Sequence, residues 1–356
     1  MATSPVAALP KMQRLLASTV WDGVTNATSG SPTGLADSFN VTPQTWQRLL
    51  HFERFTPGIM QENLDTSENI GFGSYERPVT ATVPQRYVLR PTGTFVPRVG
   101  DWRYLLPWIM NAPGVVDAVT PGFTTYQPSG LTSAAANGNL VTKRHLIFDD
   151  SRRVHQLNDV AVMKATFTSE QAPGDPTELK VDIEMLGKSY TLDVSFPEAD
   201  PNAAAQDLGP SFLHAMLQIS FTGLSTPIQC RKFSFTVEYE MNADRFHNSY
   251  YLTEQVMLAK KATVAITMPY GIHSALFDLA KDSPGIAMQA KYIFGTRSLV
   301  FDCPAIIAPP QPLQNQVPAE TYMEWVGTCH APTSGPVGGP NVITQTGFRI
   351  HNDYTV

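Results

Sequence analysis

Two stretches of the sequence carry carboxylates two residues apart: Asp182 with Glu184, and Glu238 with Glu240. In an extended strand, residues i and i+2 stand on one face. Each pair therefore forms a small acidic patch, a spacing at which carboxylates can share acid and base or nucleophile roles in glycoside hydrolysis. The opposite face argues for another role. Leu179, Val181, Ile183 and Met185 alternate with the first pair, and Phe233, Phe235, Val237, Tyr239 and Met241 with the second. Strands with such apolar backs place their polar residues on a solvated outer face.

Other reactive residue types are scattered. Lys143, Arg144, Arg152 and Arg153 form a basic cluster suited either to a charge contact with a neighbouring subunit or to solvated strand ends. Cys329 and His330 are adjacent, so on a strand they point to opposite faces and do not share a metal. No nucleophile elbow, phosphate-binding loop or dinucleotide-binding glycine pattern occurs. The sequence thus implies no cofactor, no metal and no catalytic residues.

The elements that must carry these residues are mostly strands. Alternation predicts strands at Thr80–Leu89 (with Pro84 at an edge or bulge), His145–Phe148, Asp159–Thr168, Glu178–Leu186, Met216–Phe221, Lys232–Met241 and Gln255–Met268. A hairpin around Gly295 joins Ala287 to Phe301, and Thr321–Cys329 and Val342–Ile350 follow. Helical spacing is expected in four places. Met12, Leu15, Leu16 and Val20 suggest a short amphipathic helix, and Trp46, Leu49, Leu50 and Phe52 a second. The other two lie in Arg103–Gly114 (the helix itself near Trp102–Asn111) and Ser274–Gly285, stretches that each end in Pro-Gly. Pro107 inside the former predicts a kink, or a late start with Pro107 in the first turn. Residues 113–142 read as a long polar connection, and Glu198–Gly209 as a midpoint linker.

Composition bounds the possibilities. The chain has 356 residues, 42 % of them hydrophobic and only 16 % charged. So little charge points to surface covered by other copies of the chain, or to a neutral Ser/Thr-rich surface. A net charge of −6 disfavours tight gripping of nucleic-acid phosphates. Mild negative charge instead suits a surface past which DNA slides, and carboxylates facing a shared inner channel would keep phosphates from sticking. Three cysteines without CxxC spacing make a disulfide framework unsuited, and a reducing compartment the simpler setting. The run LLASTVW is too short for a secretory signal, and no stretch of roughly 18 apolar residues spans a membrane.

The two Pro-Gly helices align residue by residue. Leu105, Leu106, Trp108, Pro113, Gly114 and Val115 fall opposite Leu276, Phe277, Leu279, Pro284, Gly285 and Ile286. Similar strands flank both, so the six apolar helix positions are expected to pack helices on the sides of duplicated sheets. The second half, from QCRKFSFTVEYEMN through ATVAITMPY, SALFDLAKDSPG, IAMQAKYIFGTRSLVFDCPAII and AETYMEWVGT to TGFRIHND, resembles the tail tube (major tail) proteins of long-tailed bacteriophages. SLVFDCP stands at that family's "l.f.lP" strand, and Arg349-Ile350-His351-Asn352 at its closing hairpin. GFGSYERPVTATVPQ leading into GDWRYLLPWIMNAPG resembles an N-terminal tube unit. The likeness covers residues 60–352.

What the resemblance implies is a mainly β chain of two tandem tail-tube-like β-sandwich or barrel units, each with one short flanking α-helix. The divisions are an N-terminal arm and helix (1–55), a first unit (56–200) and a second (201–356). It further implies a non-enzymatic virion protein, assembled in the host cytoplasm, whose copies form stacked rings around a channel for DNA. With two units per chain, three copies give a ring of pseudo-sixfold symmetry, against six if each chain supplied one unit. Implied partners are the chain itself, tail terminator and tip proteins, a tape measure protein in the lumen, and DNA in transient non-specific passage. Asp182, Glu184, Glu238 and Glu240 become the expected lumen-facing acids. Two other classes compete: a carbohydrate-binding or hydrolytic β-sandwich, in which Tyr250, Tyr251 and Trp325 would belong to an exposed aromatic row, and a capsid-decorating protein.

Overall fold

The computed structural model describes residues 13–18, 46–65, 82–111, 114–116, 123–126, 141–171, 177–195, 209–242, 252, 255–269, 275–279, 285–309, 322–330 and 348–353. Strands dominate them. The first group is β1 (Arg14–Ser18), β2 (Trp46–Leu49), β3 (Phe52–Thr56), β4 (Ile59–Asp65), β5 (Thr82–Leu89) and β6 (Thr92–Phe95). After helix α1 (Trp102–Ile109) come β7 (Gly114–Val116), β8 (Phe123–Tyr126), β9 (Lys143–Asp149), β10 (Val154–Glu170), β11 (Lys180–Leu186) and β12 (Ser189–Leu192). The last group is β13 (Leu217–Phe221), β14 (Lys232–Asn242), β15 (Val256–Pro269), β16 (Ile286–Phe294), β17 (Arg297–Ile307), β18 (Tyr322–Cys329) and β19 (Arg349–Asp353).

The long strand β10 organises the sheet. Its first half pairs with β9 on one edge and β12 on the other, and its second half with β14 and β11. One closed circuit runs β10–β9–β1–β2/β3–β6–β11 and back to β10. A second runs β10–β14–β15–β18–β17–β16–β13. It returns to the start of β11 through Leu179 N–H to the Phe212 carbonyl (2.7 Å) and His214 N–H to the Thr177 carbonyl (3.0 Å). Closure removes the open edges that make strands prone to aggregation. Strands β7 and β8 join the rim, β8 pairing with β19 and β19 with β17. The hairpin β4–β5 forms a separate two-stranded sheet, and Pro84 sits opposite Asn63 beside a break in register, as a residue without an N–H requires.

One hydrophobic core serves both circuits. Phe301 lies at its centre, 5.1 Å from the rings of Phe167 and Phe235, 5.7 Å from Phe233 and 6.2 Å from Tyr292. Trp102 stacks on Phe167, and Trp108 donates its indole N–H to the Val160 carbonyl at 2.8 Å, which fastens α1 to β10. Leu105, Leu106, Trp108 and Leu276 are buried, and Phe277 and Leu279 are half-buried against the core. The expected second helix is helical over residues 275–279, and 280–284 lie outside the described residues.

Several expectations need correction. Residues 14–18, 46–49 and 52–56 are strands, not amphipathic helices. Leu15 and Leu16 are both buried, so this strand hides both faces and its sequence lacks the alternation that marks a half-exposed strand. Partners distant in sequence, β9 and β6, then override helix propensity. Helix α1 begins at Trp102, well ahead of Pro107, so Pro107 is not in its first turn. Its end is set by Asn111, in the left-handed conformation (φ 51°), whose side-chain oxygen accepts the N–H of Thr142. Gly114 belongs to β7 instead. Residues 113–142 are not all loop, since they contain β7 and β8. The midpoint linker, apart from Gly209, lies outside the described residues.

Candidate functional site

The register of the paired strands brings the four sequence-selected carboxylates to one sheet face. Reading straight across β3, β6, β11, β10, β14 and β15 gives the row Thr56, Thr92, Glu184, Lys164, Glu238, Lys261. The next row, continuing onto β18, is Arg54, Thr94, Asp182, Thr166, Thr236, Thr263, Thr328. Glu240 extends the charged side of the face beyond Glu238 on β14, opposite Ala259. Strand neighbours lie about 4.8 Å apart, so the rows form a broad, regular polar surface. Beneath it the same strands bury Val181, Ile183, Ala165, Phe167, Phe235, Val237, Val264 and Ile266. Core packing thus fixes the alternation and the placement of every outer group.

The face is charged but locally compensated. Lys164 Nζ lies 3.3 Å from Glu184 Oε1, and Glu238 stands directly across on the other side. Thr94 donates its hydroxyl to Asp182 Oδ1 at 2.5 Å, and Thr236 donates to Thr166 at 3.2 Å. Carboxylates outnumber the interleaved cations Arg54, Lys164 and Lys261. Exposed pairs of this kind contribute about 0–1 kcal/mol each, so they shape the surface potential more than the stability. A polyanion approaching the face meets hydroxyls and flanked lysines, not a contiguous cation track, and phosphate binding needs such a track.

The basic cluster is not a single surface feature. Lys143 and Arg144 are buried, while Arg152 and Arg153 are exposed on the turn between β9 and β10. Arg144 donates to the Tyr104 carbonyl and lies 5.8 Å over the Trp108 ring, and burial lowers its pKa to about 9. Only the exposed pair is placed to meet another molecule. Trp325 is fully buried, so it takes no part in an exposed aromatic row, and Tyr250 and Tyr251 lie outside the described residues.

Three polar clusters, two buried and one partly buried, had no local sequence signal, because their members come together only through strand pairing. Ser169 Oγ lies 2.8 Å from His214 Nδ1 and 2.6 Å from the Tyr292 hydroxyl. His214 Nε2 lies 2.9 Å from the Cys230 carbonyl, which makes Nε2 the protonated nitrogen and Nδ1 the acceptor. Tyr292 then donates to Ser169, and Ser169 to His214. This is a nucleophile–base geometry, but Ser169 is 1 % and Tyr292 0 % exposed, so the trio pins β10 to β16. At the β10 bulge, His145 Nε2 lies 3.6 Å from Asp159 Oδ1, and Lys188 Nζ 3.9 Å from Asp159 Oδ2. On β8, β19 and β17, Thr125 bonds His351, while Arg349 (2.6 Å) and His351 (3.8 Å) hold Asp302.

Among the described residues, no group of three or more His, Cys, Asp or Glu side chains is arranged to hold a metal ion, and no helix is long and apolar enough to cross a membrane. Compared with known protein families and with curated proteins, the sequence matches no family model and no relative.

Proposed function

We propose that this chain is a structural, self-assembling subunit of the tail tube type, whose stacked rings enclose a channel that DNA traverses. The observation that carries the reading is the broad polar face spanning β3 to β18, in which threonine hydroxyls and interleaved charges sit on a single rigid core. Such a face presents phosphates with short, local interactions and a slight excess of negative charge, which favours sliding over adhesion. The sequence resemblance supplies the family. The two circuits sharing β10 support a reading of two sheet units per chain, and hence three copies in a pseudo-sixfold ring. On this reading no catalysis is involved, and the partners are further copies of the chain, terminator, tip and tape measure proteins, and passing DNA. Its location is the virion tail, after assembly in the host cytoplasm.

Negative-stain microscopy of the purified chain across a concentration series tests the proposal. Rings or tubes on the order of 100 Å wide, the scale of a few packed domains around a centre, are expected. A population that stays monomeric at every concentration overturns it.

A further inference from the structure

We propose that Cys303 and Cys329 are a disulfide-forming pair that closes β17 onto β18 when the chain meets a thiol-oxidising environment. The inference is independent of the tail tube reading. The three cysteines are reduced, yet Cys329 Sγ lies 3.4 Å from Cys303 Sγ, in direct contact. The neighbouring backbone holds the approach in place. Ile306 pairs with Cys329, and His330 N–H donates to the Ala305 carbonyl at 2.8 Å. A disulfide bond is about 2.05 Å long, so the sulfurs need to close by a little over an ångström.

The pair is also asymmetric in the way stepwise exchange needs. Cys303 is fully buried, whereas Cys329 is half-buried at the strand end, beside the exposed His330. Burial, with the neighbouring sulfur, raises the Cys303 thiol well above its ordinary 9.0, so Cys303 does not initiate. With glutathione disulfide as oxidant, the Cys329 thiolate attacks one of its sulfurs. A Cys329–glutathione bond forms, and one glutathione thiolate leaves with the proton given up by Cys329. Cys303 then gives up its proton and attacks the Cys329 sulfur, forming the Cys303–Cys329 bond and expelling the second glutathione as a thiolate that takes up that proton. Two protein thiols are oxidised and one glutathione disulfide becomes two glutathiones. Cys230 stays outside the exchange, its thiol buried and pushed up to about 12.

The test is to incubate the full native chain with glutathione disulfide, quench with acid, and alkylate under denaturing conditions for peptide mass spectrometry. Two of three thiols should become protected, with the mass lower by about 2 Da from loss of two hydrogens. A Cys303–Cys329 linked peptide that dithiothreitol releases should appear, and the urea midpoint of the oxidised chain should rise. Cys303→Ser should trap glutathione on Cys329, and Cys230→Ser should leave the cross-link intact. Three free thiols, stable glutathione on Cys329 of the unsubstituted chain, or a linkage between chains would each overturn the proposal. The unsubstituted chain decides the matter if a variant fails to fold.

Discussion

Lys164 and Glu184 face each other across β10 and β11, Nζ to Oε1 3.3 Å, and Lys164 meets Glu238 at the same level on its other side. One lysine thus separates two carboxylates of the polar face. Glu238→Lys with Glu240→Lys would turn this side of the face into a continuous cation track with Lys164 and Lys261. Both glutamates are exposed, but a lysine at 238 stands directly between Lys164 and Lys261, so stability should fall by about 1–2 kcal/mol without loss of the fold. Binding to a DNA duplex, followed by fluorescence anisotropy, should appear where the parent chain shows none, and should fall steeply with salt. Unfolding of the double variant, or no gain in DNA affinity, would show that the face does not govern polyanion contact.

The aromatic centre makes a separate claim about stability. Phe301 touches Phe167 on β10, the strand that both circuits share, and rings from β14 and β16 of the second circuit. Phe301→Ala should cost about 3–5 kcal/mol through lost burial and the cavity left behind, with one cooperative loss of both halves in urea unfolding. Two separated transitions, one unchanged from the parent, would show that the circuits are energetically independent.

How much of this was legible in advance depends on how local the signal is. Strand β14 alternates throughout and β11 as far as Met185, because one face meets core and the other solvent, so Val181, Ile183, Phe233 and Phe235 are readable as buried. From that pattern Asp182, Glu184, Glu238 and Glu240 followed as outward-facing. What the pattern lacks is register. Only strand pairing places Lys164 between Glu184 and Glu238, and aligns Thr94, Asp182, Thr166 and Thr236 in one row. Strand β1 reads as helical because its neighbours Leu15 and Leu16 are both buried, and β3 because a break in register leaves Glu53 and Arg54 both exposed and interrupts the alternation. Ser169, His214 and Tyr292 lie far apart in sequence and carry no shared motif at all.

That trio yields an ordering of variants. Ser169 is the middle link, accepting from Tyr292 and donating to His214. Ser169→Ala strands both neighbours inside the core and should cost about 1–3 kcal/mol. Tyr292→Phe leaves the Ser169–His214 bond intact and should cost about 1 kcal/mol. Urea midpoints for the two variants check the order. Equal or reversed losses would mean that Ser169 is not the linking group.

The last prediction concerns acid. His145 is held below its ordinary 6.5 chiefly because burial disfavours the imidazolium, with Lys143 adding to the effect, while Asp159 and the bond to Asn158 oppose it. Lys188 also faces the Asp159 carboxylate. The unfolded chain therefore takes up a proton at His145 before the folded chain does. Between pH 6.5 and the lower folded value, the unfolded state binds more protons, so stability falls as pH falls and is flat above that window. His145→Gln should flatten the decline in urea midpoint measured from pH about 7 down to about 5. A further loss in stronger acid should persist in the variant. Hydrogen bonding and charge from His351 and Arg349 outweigh burial at Asp302 and hold its pKa below 3.8, so its contribution is present above 3.8 and is lost as pH drops through the folded value. An unchanged slope in the His145 variant would assign the decline near neutral pH to other groups.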